Sequence, residues 1–424
     1  MLRILWLVNI GLPESNRLMG KKISPFGGWL VNASKHLALS NNIKLSIAFP
    51  DNKVINYRKI IGEQIDYFPF HRTKAISKES SKQSQIFDNI LDEIEPDIVH
   101  IHGSELPHTL SMVNICKKRK IKTVISIQGL VSKISEHMYS DLPLHVIYGF
   151  TLRNIIRKDS VYLMRKSFQK RGIKEIEALK NVDKIIGRTA WDKSVVSQIN
   201  PKAKYYFCNE TLRDSFYSNN YWDLDGCEKH TIFLSQGQYS IKGLHYMLEA
   251  MPIIVEKFPN AKLYVGGKNL IKSSTIKDKM LMTYYGKYIK NMIKKQGLTK
   301  HVFFTDILNE NEICNKLLKS HVFVCPSSIE NSPNSLGEAM ILGVPSIASF
   351  VGGIPDMLQD KKEGVLYQHN APYILANHVC SIFEDQNLAA RYSEKSRVRA
   401  LITHNRELNN QRLIDIYNEI LYCE

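Results

Sequence analysis

Long hydrophobic runs are missing from this 424-residue sequence: no stretch of about 18 uninterrupted apolar residues occurs, so nothing in it reads as a membrane-spanning helix. The apolar start, Met1 to Ile10, has no small-residue cleavage site and reads as a first buried strand rather than a secretion signal. Paired cysteines are missing as well. The seven cysteines (Cys116, Cys208, Cys227, Cys314, Cys325, Cys380 and Cys423) are odd in number and scattered, with no CxxC among them. That pattern points to a reducing cytoplasm and away from a disulfide framework or a structural zinc. Neither of the two strand series described below opens with GxGxxG, which argues against a dinucleotide-dependent dehydrogenase. No pair of carboxylates is read as a DxD-type holder of magnesium.

What is present is the composition of a folded globular protein, 44% apolar and 23% charged. The length is too great for one ordinary core and suits two domains of roughly 200 residues, with a cleft between them. The formal charge of +16 is uneven: residues 1–225 hold 34 basic and 22 acidic side chains, the remainder 23 and 19. The densest basic parts are Lys117-Lys118-Arg119-Lys120 and the stretch 153–174, where Arg153, Arg157, Lys158, Arg165, Lys166, Lys170, Arg171 and Lys174 alternate with Ile155, Ile156, Leu163 and Phe168. The spacing in 153–174 fits a basic amphipathic helix that rests on an anionic membrane surface, or equally a solvated helix packed by its apolar stripe. Nucleic acid is not expected as a partner, because no groove- or base-reading motif accompanies the charge.

Short β-branched runs alternate with segments of helical period, the pattern of parallel sheets with helices on both faces. Strands are expected at Arg3–Ile10, Lys44–Phe49, Asp97–His102, Thr123–Gln128 and Lys184–Arg188. A second series is expected at Thr231–Gln236, Lys262–Gly266, Val302–Thr305, His321–Pro326 and Ser346–Ser349. The fold class is therefore α/β, two doubly wound Rossmann-like domains facing a central cleft. The N-terminal domain takes residues 1–215 and the C-terminal domain 230–404, joined by an aperiodic polar and aromatic linker. A final helix, 405–424, is expected to pack back toward the N-terminal domain. Ligands of such sheets bind beyond the carboxyl ends of the strands.

After the expected strand His321–Pro326 come Glu330 and Glu338, eight residues apart, around Pro333. Proline is favoured in the first turn of a helix, so Glu330 should sit on the loop and Glu338 about one turn inside. The N–H groups of Asn334, Ser335 and Leu336 would then face an anion. A carboxylate beside such a site suits a ribose, because it can accept from two vicinal hydroxyls. Ser335-x-x-Glu338 also matches a capping box, in which Glu338 would only satisfy a backbone N–H.

The segment Ser327 to Pro345 resembles the E-x7-E signature of retaining glycosyltransferases of family 4, which have the GT-B fold. The resemblance extends to Ser240-Ile241-Lys242-Gly243-Leu244, similar to the family's KG motif with Lys242 on the donor diphosphate. It also covers Val351-Gly352-Gly353-Ile354-Pro355-Asp356, similar to the GG-x-P-E turn, and Pro25-Phe26-Gly27-Gly28-Trp29, similar to the glycine loop that approaches the donor phosphates. Cys208-Asn209-Glu210 is similar to the family's turn at the domain border. The resemblance implies a nucleotide-sugar donor, UDP- or GDP-linked, with no cofactor and no metal. Glu330 would hold the transferred sugar, Glu338 the ribose, and Asn334, Ser335 and Leu336 the phosphates.

Three positions depart from the family. Gly237 stands where an arginine usually pairs with the diphosphate, and Arg188 and Arg213 are the candidate replacements. Gln128 stands for a histidine near the reacting sugar and cannot take a proton near neutral pH. Asp356 replaces a glutamate. His102, Glu136 and His137 are candidate acceptor contacts, and His100 and His102 should share one face of their strand. The function implied is transfer of a sugar, with retention, to a glycan or lipid-linked glycan in cell-surface polysaccharide synthesis, in the cytoplasm or on the inner membrane face. The alternative is a catalytically silent sugar-nucleotide-binding scaffold of a polysaccharide assembly complex.

Overall fold

A computed structural model describes residues 1–22, 27–72, 81–217 and 220–422. The chain forms two compact units. The first holds residues 1–133, 169–213 and 404–424; the second holds 134–168 and 214–403.

The first unit is built on eight strands: β1 (Leu2–Leu7), β2 (Ile43–Asp51), β3 (Ile60–Ile61), β4 (Asp66–His71), β5 (Ile98–His102), β6 (Lys122–Ser126), β7 (Lys184–Gly187) and β8 (Lys204–Phe207). Their order is β3-β4-β2-β1-β5-β6-β7-β8, parallel except where β3 meets β4. Alternation along β1 shows why the sheet is covered twice: Leu5 and Leu7 enter one apolar cluster with Val99 and Ile101, while Ile4 and Trp6 enter another with Ile47 and Tyr67. Ile416, Tyr417 and Ile420 of the helix Arg406–Tyr422 complete the second cluster. The Trp6 indole N–H donates to the Tyr417 hydroxyl at 2.8 Å.

The second unit has six parallel strands: β9 (Glu228–Leu234), β10 (Lys262–Val265), β11 (Val302–Phe304), β12 (Ser320–Cys325), β13 (Ser346–Ser349) and β14 (Val365–Tyr367). Their order, β11-β10-β9-β12-β13-β14, reverses direction between β9 and β12. At such a reversal the loops leave to opposite sides and open a crevice at the carboxyl ends. In the first unit the reversal falls between β1 and β5.

Two sequence expectations are corrected. Residues 134–168, assigned to the N-terminal domain, pack with the second unit. Hydrogen bonds account for this: Ser240 Oγ donates to the Met138 carbonyl at 2.8 Å, Ser140 and Ser328 hydroxyls lie 2.9 Å apart, and the Tyr246 hydroxyl donates to Asp141 at 2.8 Å. The basic stretch 153–174 is not one helix. It divides at Lys158, whose backbone is left-handed (φ 54°), into helices Leu152–Arg157 and Val161–Lys180. The second helix starts where the Ser160 hydroxyl accepts the Leu163 N–H. Along it Arg165 turns inward, donating to the Ser135 carbonyl and lying over the Tyr139 ring.

Candidate functional site

The crevice of the second unit is made by the loops that follow β9, β12 and β13. After β9 the chain makes a short 3-10 turn, Ser240–Lys242, and reverses at Gly243 (φ 73°) into the helix Leu244–Lys257. A Cβ at Gly243 would collide with the carbonyl oxygen of Pro326, so glycine is what allows the two loops to touch. After β13, Gly352 (φ 51°) lies against the backbone of Glu330 in the same way, and the Gly353 N–H donates to the Glu330 carbonyl at 3.1 Å. The loop carrying Glu330 is thus braced from both sides by glycines.

Within that frame the Glu330 carboxylate accepts from Lys242 Nζ at 2.6 Å and from Ser327 Oγ at 2.7 Å. The two charged side chains are 25% and 12% exposed. Burial alone would lower the Lys242 ammonium's pKa, but the adjoining Glu330 carboxylate outweighs it and holds the value above that of ordinary lysine. Beneath them, burial, with a contribution from the Glu330 charge, pushes the Cys325 thiol up to about 12, so it stays neutral.

The helix Asn334–Ile341 begins here, with Pro333 as its N-cap and no side-chain cap. Ser335 lies inside the helix, so Ser335-x-x-Glu338 is not a capping box. Glu338 is buried one turn in. Of the three N–H groups expected to face an anion, that of Leu336 already donates to the Pro333 carbonyl at 3.0 Å, which leaves Asn334 and Ser335 at the helix start. Gly237 holds no space for a larger residue: a Cβ there would stand 2.6 Å from Val265 Cγ1 and 2.9 Å from Leu244 Cδ2. Asp356 lies on the short helix Ile354–Met357 that follows the two glycines. Asp223-Leu224-Asp225 does have DxD spacing, contrary to the sequence reading. It forms an exposed turn in which Asp223 accepts the Gly226 N–H at 2.6 Å. Among the described residues no group of three or more His, Cys, Asp or Glu side chains converges as metal ligands would.

Glu136 and His137 end the helix Val131–His137, exposed and part of the second unit. The His137 carbonyl accepts from Ser328 Oγ at 3.4 Å, two residues from Glu330.

The first unit gathers the other candidates at the carboxyl ends of β1, β5, β6, β7 and β8. Gly27 (φ 79°) caps the helix Gly28–Ala38, and the Arg213 side chain fills the space where a Cβ of Gly28 would stand. Pro25 and Phe26 lie outside the described residues. His102 stacks on His100, ring centroids 3.9 Å apart, with the Trp6 ring edge-on at 4.4 Å. The two histidines share a face but do not form a metal pair. Both nitrogens of His100 are engaged, by Tyr417 and Ser126 hydroxyls at 2.6 Å each, and burial pushes its pKa down to about 3. His102 is neutral for the same reason, and its ring nitrogens have no hydrogen-bond partner. It lines a cavity of about 40 Å³, room for a few waters, with Trp29, Arg188, Glu210 and Asn409.

Arg188 pairs with Glu210 at 2.5 Å, and Gln128 Nε2 donates to the other oxygen of Glu210 at 2.6 Å. The proposed replacement cation is therefore already neutralised within its own unit. Sequence reading gave Glu210 no role of its own. It lies 82 residues from Gln128, and no local pattern announces that meeting.

Residues 223–399 match the family model described as glycosyl transferases group 1. A putative glycosyltransferase YtcC of Bacillus subtilis is 27% identical over 217 residues, 50% of this chain and 51% of the relative. The chain thus spans about half the length of the curated relatives it matches. Among solved structures, sucrose-phosphate synthase from Thermosynechococcus elongatus is similar over 100% of both chains, with TM-score 0.73 and 14% identity. Anabaena Alr3699/HepE, solved in complex with UDP and glucose, is similar over 99% of this chain and 100% of that one, with TM-score 0.67 and 12% identity. Residues 223–399, the greater part of the second unit, are similar in sequence to the glycosyl transferases of group 1, and the chain as a whole has the GT-B fold.

Proposed function

We propose that this protein is a metal-independent, retaining glycosyltransferase that moves a sugar from a nucleoside-diphosphate donor to a glycan or lipid-linked glycan of the cell surface. The observation that carries the reading is the contact of Lys242 and Glu330 at the start of the helix Asn334–Ile341, on loops braced by Gly243 and Gly352. A departing diphosphate needs its growing charge met by fixed positive groups. Lys242 supplies a positive charge that the diphosphate shares with Glu330, and the N–H groups of Asn334 and Ser335 supply the partial charge of a helix start. Glu338 accepts from the ribose hydroxyls and Glu330 from the transferred sugar. The bond from the anomeric carbon to the phosphate oxygen breaks as the bond to the acceptor oxygen forms on the same face. The acceptor's proton passes to the leaving phosphate. No protein base is needed, which suits Gln128 in place of a histidine. The similar structure that holds UDP and glucose favours a UDP-linked donor.

A panel of UDP- and GDP-sugars tests the reading, with hydrolysis and transfer followed in EDTA. Turnover that persists in chelator, with Glu338→Gln weakening the bare diphosphate, is the expected result. Loss of turnover in EDTA restored by magnesium would overturn metal independence. Affinity without turnover for every donor would favour a silent binding scaffold instead.

A further inference from the structure

The helix Leu152–Arg157 is inverted. A surface helix ordinarily buries its apolar side chains, yet this one buries Asn154 completely and turns Leu152, Ile155 and Ile156 outward, the last two 60% and 71% exposed. The three lie at i, i+3 and i+4, on one face. The inversion is fixed from within: Asn154 completes a capping box with Thr151, donates to Asp159 at 2.7 Å and accepts the Tyr284 N–H at 2.9 Å. Leu144, 73% exposed, precedes it in the same segment.

A neighbouring segment repeats the feature. The helix Ile276–Met280 buries none of its residues and presents Ile276, 78% exposed, and Met280, followed by exposed Leu281. The segments adjoin, since Arg153 donates to the Leu281 carbonyl at 2.8 Å and both line one cavity of about 510 Å³ with Lys268 and Lys272. Isolated exposed apolar residues need no explanation, but a cluster of this kind marks an interaction surface.

Charge identifies the partner. Residues 268–300 contain nine lysines and one aspartate, and the segment 144–159 contains Arg153, Arg157 and Lys158 with one acid, Asp159, which pairs with Arg153 at 2.9 Å. The helix Tyr284–Lys295 buries Tyr285, Ile289 and Ile293 and exposes Lys287, Lys290 and Lys294, a stripe at i, i+3 and i+7. Apolar side chains ringed by basic ones match the interface of an anionic bilayer, where the former reach the acyl boundary and the latter lie among headgroup phosphates. We infer that the face formed by the helices Leu152–Arg157 and Ile276–Met280 docks this protein on an anionic lipid membrane. The inference does not depend on the proposed chemistry, and its test needs no turnover.

The test is co-sedimentation of the full chain with phosphatidylcholine vesicles, with and without phosphatidylglycerol, at low and high salt. Wild type binds the phosphatidylglycerol vesicles and is released by salt. The double substitutions Ile155→Ser with Ile156→Ser, and Lys277→Glu with Lys279→Glu, each lower partitioning about tenfold or more. All four residues are exposed, so the melting temperature stays at the wild-type value. Absence of wild-type binding, equal binding to both vesicle types, or unchanged partitioning of both variants would overturn the inference. So would a wild-type dimer in sedimentation velocity that both variants dissolve, since the face would then join two copies of the chain.

Discussion

Glu330→Gln and Lys242→Ala are expected to move nucleotide affinity in different directions, although the two side chains touch. In the free protein the Lys242 ammonium is bound to the Glu330 carboxylate at 2.6 Å. At 25% and 12% exposure the pair lies between an exposed ion pair and a buried one. Its coupling is therefore about 1–2 kcal/mol, above the surface median and below the loss seen when a fully buried pair is broken. An incoming diphosphate must share the ammonium with that carboxylate. Glutamine keeps the shape of the side chain and removes its charge, so bare nucleoside diphosphate should bind as well as before or up to about tenfold tighter. Transfer should nevertheless fall strongly, because the contact to the reacting sugar is lost. Lys242→Ala removes a charge-assisted contact of about 1.5–3 kcal/mol and should weaken the diphosphate about 10- to 150-fold while leaving the nucleoside unaffected. Titration calorimetry with nucleoside, nucleoside diphosphate and nucleotide sugar reads these differences, alongside single-turnover transfer. If Glu330→Gln weakened the bare diphosphate as much as Lys242→Ala does, the assignment of Glu330 to the sugar would be wrong.

Gly352→Ala places a Cβ against the Glu330 carbonyl at a backbone angle that L-residues rarely adopt. It should cost about 1–3 kcal/mol, lower the melting temperature and reduce transfer; wild-type values for both would refute the bracing argument. Stability should also fall on acidification. Burial pushes His100 and His108 down to about 3, and His245 and His404 to about 4, so each stays neutral in the fold while the unfolded chain takes up a proton below about pH 6.5. That stability is complete above the unfolded value and is lost as pH falls toward the folded ones, by up to about 1.4 kcal/mol per pH unit for each histidine. A melting temperature that stayed level from about pH 7.5 to about pH 5 would contradict this.

The expected strands were legible because a buried parallel strand is a short apolar run between polar loops, and ten of them fall on strands β1, β2, β5, β6, β7 and β9 to β13. Strands β4, β8 and β14 were not. Pro69 interrupts the pattern of β4, and β8, at a sheet edge, exposes Lys204 and Phe207, so it is no continuous apolar run; β14 lies at the edge of the other sheet. The loops of the second unit were legible for a different reason: Gly243 and Gly352 stand where backbones touch, and such glycines form a readable pattern around Lys242 and Glu330. Partners in the first unit had no such marker. The meeting of Arg188, Gln128 and Glu210 depends on strand order, which a local pattern does not carry. The stretch 153–174 misled as to a single helix, because apolar spacing does not announce the left-handed Lys158 that divides it, and spacing alone left open whether the apolar face is packed or exposed. A single buried Asn154 reverses the orientation.

The hydrogen bond from Trp6 to Tyr417 spans 411 positions of sequence. On a ribosome Tyr417 follows Trp6 by 411 residues, so the cluster on this face of β1, which Leu30 and Leu37 join early, waits for its remaining members. Residues 214–403 form most of the second unit and can close while that wait continues. Of the two units, the one begun first is therefore the one completed last, and a ribosome stalled before residue 416 holds a first unit still lacking Ile416, Tyr417 and Ile420.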